Sequence, residues 1–226
     1  MGEKTTHQDV SRRFEAARLY AITCRPKAGQ SYDRMVEDAC AGGADVIQFR
    51  DKVLSAQVRY EIARRLRAIC WSHKVLFIVN DALDIALAIE ADGVHLGQDD
   101  LPLPVARAFV YHYGAKAFLI GRSTHSLAQA LEAERQGADY IGVGPVFSTP
   151  TKPSYAPVGL ALVRQVAHRV KVPQVAIGGI EATNVEHVLE AGAKRVAVVR
   201  AVCGAVDTAR AAEKLKTILS AEKSYV

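Results

Sequence analysis

Short apolar runs recur along the chain at intervals that leave room for one helix between each pair. "RLYAITC" from Arg18, "KVLFIVND" from Lys74, "KAFLIGRS" from Lys116 and "KVPQVAIGG" from Lys171 are four of them. Three others share a plan of small residue, Asp and apolar strand: "GGADVIQFR", "EADGVHLGQ" and "QGADYIGVG". Their aspartates, Asp45, Asp92 and Asp139, recur every 47 residues, and a looser copy, "EAGAKRVAVV", begins at Glu190. That makes eight strands, mostly continuous apolar runs, as expected where both faces of a parallel sheet are covered.

Helical spacing fills the gaps. After Ser55, the residues Val58, Ile62, Leu66 and Ile69 recur at steps of four and three, one face of a helix. Ser126 with Gln129 predicts a capping box, and Gly137 a helix stop. Eight βα units of roughly 23 residues would use nearly the whole chain, which predicts a (β/α)8 barrel over residues 18–226. Residues 1–17 stand apart as an N-terminal extension with helical potential. A doubly wound sheet is the rival, but it would usually have fewer strands and no even period.

Composition narrows the class. Of 226 residues, half are hydrophobic and 23% charged, enough for one domain with a sizeable core. No run approaches the roughly 18 apolar residues of a membrane span, and the start lacks the apolar stretch of a signal peptide. Cys24, Cys40, Cys70 and Cys203 form no CxxC pair, so they read as core residues of a reducing, cytoplasmic protein. The net charge of +5 is scattered, apart from "RRLR" at Arg64 to Arg67. Phosphorylated small molecules explain it better than nucleic acid. The oligomeric state is left open.

In a barrel of this kind the chemistry belongs where strand C-termini open into loops. The second strand ends in Gln48, Arg50 and Lys52, and the third in Asn80 and Asp81. The fourth runs into "HLGQDD" and the fifth into "GRSTHS". Asp81 and one of Asp99 or Asp100 are placed to act as hard oxygen ligands for Mg²⁺, which commonly takes one or two protein carboxylates. A simple pair of surface aspartates is the other reading. Arg50, a forked donor, and Lys52, a point charge, suit a polyphosphate. The loop after the sixth strand holds four of the eight prolines and presents Thr149, Thr151 and Lys152. Gly178-Gly179, after the seventh strand, stands where barrels often hold a phosphate on backbone amides and a helix N-terminus. His95 lies inside a strand and reads as a packing or hydrogen-bonding residue. His125, on a rim loop, reads equally well as a functional group, either a base or a ligand contact, and as an ordinary loop residue. No Cys or Ser stands beside an evident base, so nucleophilic catalysis has no support.

Taken together and in order, "QFRDK", "VND", "DGVHLGQDD", "STHS", "GPVFSTPTKP" and "AIGGI" resemble the thiamin phosphate synthase family over about residues 18–218. The resemblance implies a transferase that condenses hydroxymethylpyrimidine pyrophosphate with hydroxyethylthiazole phosphate, releases pyrophosphate and requires Mg²⁺. By the same resemblance, Gln48, Arg50, Lys52, Asn80, Ser123 and Lys152 hold the pyrimidine pyrophosphate. Arg50, Lys52, Ser123 and Lys152 form the catalytic set. Asp81 and Asp100 match the metal ligands, and Thr149, Pro150, Thr151, Gly179, Val199 and Arg200 the thiazole phosphate site. Two positions depart from the pattern. Cys24 stands where the family often has Asp, and Arg200, where many members have Ser, implies a side-chain contact in place of backbone. Two rivals remain: a thiazole tautomerase of the same superfamily, dependent on His125, and a non-catalytic barrel that binds phosphate ligands or nucleic acid. Neither has a use for paired carboxylates beside three cations.

Overall fold

The computed structural model describes residues 6–149 and 156–221. The strands are β1 (Leu19–Ile22), β2 (Val46–Phe49), β3 (Leu76–Asn80), β4 (Gly93–Leu96), β5 (Leu119–Thr124), β6 (Tyr140–Val143), β7 (Gln174–Ile177) and β8 (Val196–Val198). Between and around them run α1 (His7–Ala16), α2 (Tyr32–Ala41), α3 (Ala56–Ser72), α4 (Leu83–Ala88), α5 (Leu103–Tyr113), α6 (Leu127–Arg135), α7 (Gly159–Arg169), α8 (Val185–Glu190) and α9 (Thr208–Ser220). All strand pairs are parallel and the sheet closes, with β8 pairing β1 through Tyr20 and Ala197. This is a (β/α)8 barrel.

Strand alternation divides the core in two. Ile47 and Phe49 of β2 face the helices, in the larger cluster with Val36, Ala63 and Leu66. Val46 faces the barrel interior, with Tyr20, Leu76, Ile78, Leu119 and Tyr140. Because side chains alternate, Gln48 and then Arg50 follow Val46 inward, toward the C-terminal mouth. The interior is closed from the N-terminal side by α1. Val10 and Phe14 of α1 join the interior cluster, and the Phe14 ring lies 4.3 Å from that of Tyr140. Thr6 and Asp9 cap this helix reciprocally, and Arg195 reaches its last carbonyls at Phe14 and Glu15.

The 47-residue period has a physical basis at that same end. Asp45 Oδ2 accepts the N–H groups of Arg18 and Leu19. Asp92 Oδ2 accepts that of Phe77 at 2.8 Å, and Asp139 Oδ2 that of Ile120 at 2.6 Å. Each aspartate, just before an even strand, receives a backbone donor from the odd strand preceding it.

Two local expectations need correction. Gln129 does not complete a capping box. Ser126 accepts the Gln129 N–H at 3.2 Å, but the Gln129 side chain passes the cap and accepts the N–H of His125 at 2.7 Å. The core stripe of α3 is Ala63, Leu66 and Cys70. Ile62 and Ile69 flank it and Val58 is exposed, because the stripe turns toward α2 and the small Ala63 permits close approach.

Candidate active site

A cavity of about 890 Å³ opens at the C-terminal end of the barrel. Its floor is built from inward-facing strand residues and its walls from the loops that follow. Gln48, Arg50, Asn80, Ser123, Thr149, Gly179, Val199 and Arg200 all line it, so eight of the anticipated binding residues meet in one space. Pro150, Thr151 and Lys152 lie outside the described residues.

Lys52, Asp81 and Asp100 stand beside this cavity, next to Asn80, rather than among its lining residues. Lys52 Nζ lies 3.3 Å from Asp81 Oδ2. Burial first, and then the neighbouring carboxyl of Asp100, push the Asp81 carboxyl above the usual carboxylate range; Lys52 offsets part of this. Asp81 also adopts a left-handed backbone, φ 63°, a conformation that is costly for most residues and that Asp tolerates better than most. Asp100 is set by a tight turn, its Oδ2 accepting the Gly97 N–H at 2.6 Å. Arg122 braces that turn through the carbonyls of Gln98 and Leu101, at 3.1 and 3.0 Å. Two crowded carboxylates with a single lysine fit a hard divalent cation, whose charge would relieve their repulsion. Among the described residues no group of three or more His, Cys, Asp and Glu gathers as a metal site. A pair is what Mg²⁺ needs when water and phosphate oxygens complete its shell.

Asp51 explains how β2 ends in such a burst of charge. Its carboxylate accepts the N–H groups of Val53 and Leu54, both at 2.7 Å, and the Tyr32 hydroxyl at 2.6 Å. Burial pushes its pKa up, but these donors outweigh it and hold the group below the usual range. Asp51 therefore folds the loop that presents Arg50 and Lys52.

On the opposite wall, Val146 and Phe147 continue the pairing of β6 with the end of β7, donating to Ile177 and Gly178 at 2.8 and 3.0 Å. This sets Ser148 and Thr149 against Gly178-Gly179. Both glycines have positive φ, 104° and 64°, and a Cβ on Gly179 would lie 2.7 Å from the Ser148 carbonyl oxygen. Only glycine permits that approach. The helix N-terminus expected behind the pair is not there, because α8 begins only at Val185. A phosphate here would rest on loop amides, Thr149 and Arg200.

Sequence reasoning missed part of the mouth. Arg25 and Lys27, in the loop after β1, also line the cavity, as does half-buried Cys24. Cys24 Sγ donates to the Cys203 carbonyl at 3.1 Å. The bases in "CRPK", directly after a strand, were the available signal. His125 lines the cavity too, with Nδ1 turned to the Gly144 carbonyl.

The family model for thiamine monophosphate synthase matches residues 19–202. The chain belongs to this family. It is 46% identical over 221 residues to a thiamine-phosphate synthase of Synechococcus sp. (strain WH7803), covering 96% of this chain and 61% of that protein. A thiamine-phosphate synthase of Halalkalibacterium halodurans is 46% identical over 204 residues, 89% of this chain and 95% of that one. The chain thus spans about three fifths of the length of the Synechococcus relative and nearly all of the other. Among solved structures, thiamine phosphate pyrophosphorylase from Pyrococcus furiosus superposes with a TM-score of 0.83 at 40% identity, covering 92% and 97% of the two chains. No helix among the described residues is long and apolar enough to cross a membrane.

Proposed function

We propose that this chain condenses 4-amino-5-hydroxymethyl-2-methylpyrimidine pyrophosphate with hydroxyethylthiazole phosphate, giving thiamin phosphate and pyrophosphate. The observation that carries this reading is the cavity's division into two anion walls. Arg50, with Lys52 and the Asp81–Asp100 pair just beside it, forms one; Gly178-Gly179, Thr149 and Arg200 form the other.

On the first wall Arg50 and Lys52 bind the pyrophosphate, and the family pattern adds Lys152. Their charge favours departure of the leaving group as the C–O bond breaks. Asp81 and Asp100 would hold Mg²⁺, which supplies further neutralisation of the pyrophosphate oxygens when bound. The aminopyrimidine carries the resulting positive charge on its methylene carbon. On the second wall, loop amides, Thr149 and Arg200 bind the thiazole phosphate and hold the ring nitrogen in range to form the new C–N bond. No protein nucleophile takes part. Four free thiols, three of them buried and Cys24 half-buried, suit a cytoplasmic enzyme.

The test is direct: mix both phosphorylated substrates with the protein and Mg²⁺, then assay pyrophosphate and thiamin phosphate together. Equal amounts of the two products support the reading, and neither product sinks it. The presence of His125 in the cavity favours thiazole tautomerisation as a second reading. Lys152→Ala should lose far more coupling activity than His125→Ala. A dead His125→Ala beside an active Lys152→Ala, both folded, would favour the tautomerase.

A further inference from the structure

Five polar side chains on five different strands form one continuous hydrogen-bonded chain across the cavity floor. Gln48 Nε2 donates to Tyr20 Oη at 2.8 Å, and the hydroxyls of Tyr20 and Tyr140 are 3.1 Å apart. Tyr140 Oη lies 3.1 Å from His95 Nδ1, and His95 Nε2 lies 2.9 Å from Ser123 Oγ. All five line the cavity, with Gln48 and Ser123 at the two ends. Of the middle three, the tyrosines are buried, Tyr20 3% and Tyr140 1% exposed, and His95 is partly buried.

The strands make room for this chain at the cost of side chains elsewhere. A Cβ on Gly121 would lie 2.1 Å from Tyr140 Cζ and 2.5 Å from its Oη, so β5 carries no side chain there. A Cβ on Gly142 would lie 3.3 Å from His95 Cε1. Burial pushes both phenols up, so each keeps its single proton at neutral pH. That single proton gives the chain a direction. If Tyr20 accepts from Gln48, its own proton goes to Tyr140, and Tyr140 in turn donates to His95 Nδ1. The imidazole then carries its proton on Nε2 and donates to Ser123 Oγ. The Ser123 hydroxyl proton is left for a ligand.

We propose that this chain is a one-way positioning device, set by Gln48, that fixes the Nε2–H tautomer of His95 and makes Ser123 a hydrogen-bond donor toward the bound substrate. The inference rests on the coupling reaction proposed above, which requires opposite polarities at the two ends. With Nε2 given to Tyr20, Gln48 turns its carbonyl oxygen to the cavity, where the amino group of an aminopyrimidine that is gaining positive charge donates. Ser123 offers a proton where pyrophosphate gains negative charge. The reverse direction, with Tyr20 donating to Gln48 Oε1, would put an amide donor beside the forming cation and hydroxyl lone pairs beside the anion. Tyr20, Tyr140 and His95 are thus positioning residues acting through Gln48 and Ser123.

The experiment reads the tautomer of His95 from its ring ¹⁵N shifts in the ¹⁵N-labelled 226-residue chain, without substrate. In the wild type Nε2 should carry the proton. In Gln48→Glu a carboxylate that only accepts should reverse every bond, so that His95, three links away, carries its proton on Nδ1. Tyr140→Phe removes the partner that fixes the tautomer, so adding Gln48→Glu to it should leave the tautomer mixture of Tyr140→Phe unchanged. A wild type with Nδ1–H, or a tautomer that ignores Gln48→Glu, overturns the proposal. Should Gln48→Glu fail to fold, Tyr140→Phe decides by kinetics. Its kcat for coupling should fall about tenfold with the KM for the pyrimidine pyrophosphate nearly unchanged, and an unaltered kcat overturns the proposal. Failure of the functional reading is recognised separately, by a wild type that makes no thiamin phosphate whatever its tautomer.

Discussion

The two ends of the barrel use aspartate in opposite ways. At the N-terminal end Asp45, Asp92 and Asp139 each accept backbone N–H groups, and each has a cation at hand: Lys216, Arg67 and Arg107 respectively. These carboxylates are satisfied within the fold. At the C-terminal end Asp81 and Asp100 crowd each other, with Lys52 the cation against Asp81. The same side chain serves registry at one end and, in the function proposed, chemistry at the other, and the difference lies in what surrounds it. Carboxylates that each meet strand N–H groups and a cation hold strands together, whereas Asp81, its proton affinity raised by burial and by the neighbouring Asp100, is suited to a cation from solution.

Breaking the upper pair should have the largest effect. Asp81→Ala or Asp100→Ala should lower kcat for coupling on the order of 10²- to 10³-fold while the melting temperature holds, since each would remove a ligand of the cation that neutralises the leaving pyrophosphate. Asp99→Ala, one residue away, should be mild. Full activity of Asp81→Ala at low Mg²⁺ would remove the metal assignment. The two walls should then separate kinetically. Arg50→Ala should act mostly through the pyrimidine pyrophosphate, and Thr149→Ala should raise the KM for the thiazole phosphate by about tenfold, the cost of one good hydrogen bond to a charged group. Equal weakening of both substrates by both variants would dissolve the division.

The lower ring predicts the opposite pattern. Asp92→Ala leaves the buried Phe77 N–H without its acceptor and should cost about 1–3 kcal/mol of stability, with kcat per folded molecule unchanged. A loss of kcat without a fall in melting temperature would contradict it. The smallest effect is one of pH. Asp81 binds its proton more tightly folded than unfolded, so its contribution to stability falls as pH rises from the ordinary Asp value through the raised one. With EDTA present, Asp81→Asn should therefore melt above the wild type at neutral pH, the gain vanishing below the ordinary Asp range. A lower melting point for Asp81→Asn at neutral pH would refute the assigned crowding.

What could be read from the chain follows the same division. Strands covered on both faces announce themselves as apolar runs, and the 47-residue recurrence of Asp45, Asp92 and Asp139 was visible at once. Its meaning was not, because it depends on which N–H of the neighbouring strand each carboxylate meets. The rim residues Arg50, Asn80 and Asp81 were legible because polar groups break apolar strands at their ends. Tyr20, Tyr140 and His95 were not legible as a connected set. They sit inside strands, where Tyr reads as core, and only the closed register brings them together. The role of α1 as the plug under that set was hidden too, although Thr6 with Asp9 and the Val10–Phe14 spacing were signals for a capped amphipathic helix.

The central claim is that the upper carboxylates serve a cation bound together with pyrophosphate, while the lower ones serve the fold. Calorimetric titration of inorganic pyrophosphate into the protein, with Mg²⁺ or with EDTA, tests it most directly. The account predicts strong binding with Mg²⁺, weak binding with EDTA, loss of the Mg²⁺-dependent part in Asp81→Ala and its retention in Asp92→Asn. Equal binding in Mg²⁺ and EDTA, or undiminished Mg²⁺-dependent binding in Asp81→Ala, would contradict it.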